Sequence, residues 1–156
     1  MKKLLTIVLL TVMFFGAKAQ SNKEDVDLIQ SLLGKEKKTI VDSYMRLTPD
    51  KAPAFWTVYD QFETERKALG RARIQVLDDY VNSLDNLSNE KATSLMKKAI
   101  DNEAGIIKLY KKYLPKFTKA TTAIEAAKFL QLEFYIQSII RTKIQEEVPL
   151  IDVITK

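Results

Sequence analysis

The residues best placed to do chemistry are three arginines in eight positions, Arg66-Lys67-Ala68-Leu69-Gly70-Arg71-Ala72-Arg73. Arg66 and Arg73 are two helical turns apart, on the same face as Phe62, Leu69 and Val76. Charges in an apolar stripe need carboxylate partners or an exposed surface. If the chain doubles back near Leu87, Glu103 comes to lie opposite Arg71 to Arg73, and Glu133 is a second candidate partner. Arg–Glu pairing is the structural reading. The functional reading is an amphipathic surface that holds unfolded chains or acidic peptides. Upstream stand Phe55, Trp56, Tyr59 and Phe62. Phe55 and Trp56 are ~100° apart on a helix, so one can enter a core while the other faces a client or a second subunit. The candidate binding residues are therefore Arg66, Arg71, Arg73, Phe55 and Trp56.

Other chemistries lack their residues. The chain has no histidine and no cysteine, which removes the commonest general base, the favoured transition-metal ligand and every Ser-His or Cys-His nucleophile. Only Gly34, Gly70 and Gly105 lie beyond residue 19, so no glycine-rich loop can cradle a phosphate. The pairs Glu63/Glu65, Asp78/Asp79 and Glu146/Glu147 read as solvated faces, because no third ligand follows at helical spacing. These patterns imply no catalytic residue, no metal and no cofactor, and a protein that is not an enzyme.

The elements that position these groups all read as helices. A first segment, about 22 to 47, carries Val26, Ile29, Leu33, Ile40, Tyr44 and Leu47 on one face, with a break or bend at Gly34. A second starts with Thr48 as N-cap and Pro49 as first helical residue and runs to about Asn86. Its 38 residues would make a rod of about 57 Å, long enough that it must project, curve or pair with a second subunit. A third follows Ser88 with Ala92, Leu95, Ala99, Ile106, Ile107, Tyr110 and Leu114 as its apolar face, and Pro115 ends or kinks it before Ala120. A fourth follows Thr122, with Thr122-Ala123-Ile124-Glu125 as a capping box and Val148-Pro149 as its close. Phe129, Leu132, Ile136, Ile139 and Ile140 form its face, widened by Leu130 and Phe134. In the first two helix starts Lys51 and Lys91 occupy the box position that needs an acceptor, so those boxes are half-formed. The fold class is all-α: four helices in an elongated antiparallel hairpin.

The N-terminus has its own pattern. Met1-Lys2-Lys3, the apolar run Leu4 to Phe15 and Ala17-Lys18-Ala19 match a cleaved export signal over 1–19, leaving 20–156 as a single domain. Without Lys2, Lys3 and Lys18 the basic count falls from 25 to 22 against 20 acids, and net charge from +5 to +2. That charge is too small to draw nucleic acid, and stable membrane insertion is not expected. With no cysteine, stability outside the cytoplasm must come from packing or from a homodimer.

Taken together, Leu47-Thr48-Pro49-Asp50-Lys51, Leu87-Ser88-Asn89-Glu90-Lys91 and Thr121-Thr122-Ala123-Ile124-Glu125 resemble the repeated Leu-Thr-x-x-Gln helix starts of the Spy/CpxP-like family of periplasmic all-helical proteins. The chain looks like a divergent member of it, with Lys128-Phe129-Leu130-Gln131-Leu132-Glu133 in its last helix. The resemblance implies a curved helical hairpin, often dimeric, with a concave face that is basic and partly apolar, where Arg66, Arg71 and Arg73 would lie. It also implies a periplasmic (second choice, secreted) ATP-independent chaperone that holds stress-damaged client polypeptides. The alternative is an envelope-stress regulator bound to a membrane sensor or a sigma/anti-sigma system.

Overall fold

A computed structural model of the chain describes residues 36–148 and Ile151. The export segment over 1–19, the bend at Gly34, the apolar positions Val26, Ile29 and Leu33, and the tail apart from Ile151 lie outside the described residues. The fold is all-α, with no strand among the described residues. Helix α1 covers 36–45, α2 Ala52–Val81, α3 Asn89–Ala120 and α4 Ala123–Glu147, with a single 3-10 turn at Leu84–Asn86 between α2 and α3.

The three hydroxyl starts work differently. Ser88 Oγ accepts the Lys91 amide (3.2 Å) and Thr122 Oγ1 accepts the Glu125 amide (3.1 Å), both as N-caps. Thr48 is not the cap of α2. Its carbonyl accepts the Lys51 and Ala52 amides in a preceding turn, the helix begins at Ala52, and the proline of its first turn is Pro53. The Thr48 hydroxyl instead bonds the Asp50 carboxylate and holds its pKa below the usual value. At the other end α2 stops at Val81, short of Asn86, where the Ser83 hydroxyl donates to the Tyr80 carbonyl. Its 30 residues make a rod of about 45 Å. Helix α3 runs through Pro115 to Ala120. Arg46 closes α1 with φ 49°, the left-handed position that glycine usually fills.

Cross-helix contacts give the topology. Glu65 meets Lys112, Leu69 meets Asn102 and Asp79 meets Lys98, so α2 and α3 are antiparallel. Phe117–Phe129, Tyr110–Phe134 and Glu103–Arg141 run α4 back along α3. Lys38 on Asp60 and Lys128 on the Met45 carbonyl set α1 antiparallel to α2 and α4. The core is an aromatic cluster at the end where all four helices meet. Phe55, Phe62, Phe117 and Phe129 are each fully buried, with ring centroids 4.5 to 5.8 Å apart among contacting pairs. Offset and edge-on pairs of this kind each contribute ~0.5–1.5 kcal/mol beyond area burial.

Three apolar faces differ from those the sequence implies, that of α4 because Phe134 and Ile139 are exposed. In α1 the buried positions are Lys37, Val41 and Met45, while Ile40 and Tyr44 are exposed. In α3 the buried stripe is Leu95, Asn102, Leu109, Tyr113 and Phe117, while Ile107 and Leu114 face outward. Helix α3 has two apolar stripes, and the one carrying the larger aromatics is the one buried.

Candidate binding surface

The five candidate residues do not share one patch. Phe55 is at the centre of the core, its ring 5.1 Å from Trp56 and 5.4 Å from both Phe117 and Phe129, and it offers nothing to a partner. Trp56 is half-buried, with the Lys38 ammonium 4.9 Å above its ring. Arg66 turns back on its own helix to Glu63 (Nε to Oε1 3.0 Å, a terminal nitrogen to Oε2 3.2 Å). Arg73 reaches Glu103 at 3.3 Å, as the hairpin register requires, and Arg71 is exposed.

Arg66 belongs to a buried ionic network. Lys37 of α1 pairs with Glu63 of α2 and with Glu133 of α4, the latter at 2.6 Å. Glu63, read from sequence as a solvated carboxylate, is buried, and Glu133 is wholly enclosed. Glu133 Oε1 accepts Gln137 Nε2 at 3.0 Å, and its Oε2 meets Lys37 as an ion pair without directed hydrogen-bond geometry. Burial pushes the Glu63 carboxyl up, but Lys37 and Arg66 outweigh it and hold its pKa below the usual value. Burial likewise works against the Arg66 charge, and Glu63 more than restores it. The Tyr59 hydroxyl beside these carboxylates has no hydrogen-bond partner among the described residues, and burial together with Glu63 and Glu133 pushes its pKa well up. Four charges that cancel in pairs tie three helices together.

A second network lies farther along the hairpin. Glu103 accepts from Arg73 of α2 and, at 2.6 Å, from Arg141 of α4. Beside it is a crevice of about 90 Å³ lined by Arg73, Val76, Leu77, Ala99, Asn102 and Glu103. Small-molecule pockets typically hold ~300–1,000 Å³, so this space suits one side-chain group. Among the described residues no cluster of acids could hold a metal ion, and no helix is long and apolar enough to cross a membrane.

Helix α3 also carries an outward apolar stripe. Met96, Ile100, Ile107 and Leu114 recur at spacings of four, seven and seven, with exposures of 59, 60, 54 and 43%. Between Ile107 and Leu114, Tyr110 packs edge-on against Phe134 of α4 at 4.8 Å, and Phe134 is itself half exposed. Lys97, Lys108 and Lys111 border the stripe, exposed and without an ion pair among the described residues. Helix α3 carries eight lysines against Glu90, Asp101 and Glu103. The heptad spacing of Ile100, Ile107 and Leu114 is the sequence signal for this seam, hidden because periodicity places Ile107 and Leu114 on the same apolar face as Leu95. No family model, no curated protein and no solved structure matches the chain.

Proposed function

We propose that the protein is an exported binding protein that holds unfolded or stress-damaged polypeptides without ATP, on the outer face of α3 and α4. The observation that carries this reading is the seam of Met96, Ile100, Ile107 and Leu114 bordered by lysines with no ion pair among the described residues. An exposed apolar stripe edged by charge is the mark of a protein-interaction surface. Its charge also selects the occupant. A second copy of this chain would bring the two lysine borders together with few acids to offset them, whereas an apolar segment carrying acidic residues meets both features. The helix starts that resemble those of Spy/CpxP-like proteins, and the N-terminal export pattern, support the same reading.

Purified protein should suppress aggregation of a chemically denatured substrate in the absence of ATP. Replacing Ile100 and Ile107 together by Ser should reduce that suppression several-fold with little change in the unfolding midpoint, because both side chains are exposed. Full aggregation at stoichiometric excess of the protein would sink the proposal. Capture of one membrane sensor domain with no general suppression would favour the regulatory alternative.

A further inference from the structure

We propose that Arg73 and Arg141 form a carboxylate-reading site at the middle of the α3 seam, so that the segments held are amphipathic helices with an acidic residue inside their apolar face. This rests on the reading of the seam as a polypeptide-binding surface. The heptad positions of the seam run Met96, Ile100, Glu103, Ile107, Tyr110 and Leu114, so Glu103 occupies a place where the pattern calls for an apolar residue. Two guanidiniums from two other helices converge on that one carboxylate. Each has five N–H donors in a planar fork, and Glu103 is the only acid that either meets among the described residues. The node therefore keeps a surplus positive charge and unused donors.

Burial and the neighbouring Arg141 both work against the Arg73 charge, and Glu103 offsets them only in part, leaving its pKa lowered. An incoming carboxylate would offset the repulsion between the two guanidiniums. The crevice beside the node, lined by Arg73, Asn102 and Glu103 as well as Val76, Leu77 and Ala99, has room for a group of that size. The apolar walls favour a side chain delivered from an apolar surface over a free hydrated anion. Helix-in-groove recognition reads a partner through anchors at i, i+3, i+4 and i+7, and here the central anchor would be Asp or Glu.

The test uses labelled amphipathic peptides as long as the seam, with binding followed by fluorescence anisotropy. One peptide carries Glu in the middle of its apolar face, one carries Gln there, and one carries that Glu on its polar face. The first should bind about tenfold more tightly than the other two, the advantage expected of a charge-assisted, bidentate pair. R141Q should abolish the advantage of the Glu peptide over the Gln peptide. E103Q, which frees both arginines, should enlarge it. R73K, which keeps the charge but loses the fork, should shrink it. Equal binding of all three peptides, or a preference that survives in R141Q, overturns the carboxylate site but leaves the seam as a binding surface. Equal gain from Glu on the polar face overturns it too, because simple attraction to the lysines would then suffice. Competition by inorganic phosphate as strong as by the Glu peptide shows a plain anion site and overturns the proposal. Failure of every peptide to bind removes the seam reading itself.

Discussion

At the scale of the residue, the decisive side chain is Lys37. Its ammonium is the only cation from α1 in the buried network, and it answers two carboxylates on two other helices. Removing one member of such a group leaves a buried charge uncompensated, so Lys37→Ala should destabilise the protein by about 3–5 kcal/mol in urea unfolding. Replacing Lys37 by Met together with Glu133 by Leu removes charge of both signs and leaves the Glu63–Arg66 pair intact. That double variant should recover most of the loss. The same network predicts acid sensitivity. The Glu63 pKa is lower in the folded chain than its ordinary 4.5, so its contribution is full above that value and lost as pH falls through the folded one. The urea midpoint should therefore drop as pH falls below 4.5, and less so in Glu63→Gln, which has no carboxylate to protonate there. Little of this was legible in the sequence. Lys37 stands in the charged run Lys35-Glu36-Lys37-Lys38, which looks solvated, and periodicity assigns the face of α1 to Ile40 and Tyr44. Nothing local says that an ion pair will outrank two apolar side chains. The Arg73–Glu103 pair was legible, because counting back from the turn near Leu87 sets the register of α2 on α3.

At the scale of the element, three similar helix starts have three different jobs. Ser88 caps in the ordinary way, and Thr48 heads a turn before its helix. Thr122 caps and also donates its hydroxyl to Glu125, whose carboxylate reaches Lys51 at 3.1 Å instead of returning to the cap's own amide. Lys51 could not complete a box at its own helix start, and it holds the box residue of another. Thr122→Ala should thus cost about 1–2 kcal/mol and Ser88→Ala about 1 kcal/mol, while Thr48→Ala should stay within ~0.5 kcal/mol. Thermal unfolding of the three variants checks the order, and equal losses would refute the distinction. The existence of these helices was legible because periodicity extends over many turns. The start of α2 was not, since Pro49 and Pro53 both satisfy the rule for a first-turn proline. The two stripes of α3 were confused for a related reason: hydropathy alone does not rank Ile107 against Tyr113.

At the scale of the molecule, the packing is uneven along the bundle. Four helices surround the phenylalanine cluster, but beyond Arg66 and Tyr110 the buried side chains thin out to Leu95 and Asn102. Salt bridges such as Asp79–Lys98 take over there, and exposed ion pairs contribute little. Amide hydrogen exchange should follow this gradient. Amides of 109–117 and 126–133 should exchange only through global unfolding, whereas those of 74–81 and 92–99 should open locally and much faster. Uniform protection along α2 and α3 would contradict it. The all-α class and the hairpin were legible from patterning and cap spacing. The placement of α1 was not, because it depends on the Lys37 network and on Met45 meeting α4. The charge segregation was hidden as well, since a modest net charge says nothing of eight lysines on one helix.

The contact between Lys38 and Trp56 also has an optical consequence. Trp56 is the only tryptophan in the chain, and a cation carried by α1 sits over its ring while Phe55 and Tyr59 pack against it in T-shaped pairs. Its fluorescence therefore responds to the seating of α1, whereas far-UV ellipticity is dominated by the three long helices. An emission change that precedes the loss of ellipticity would time the departure of one helix from the other three, with no label added.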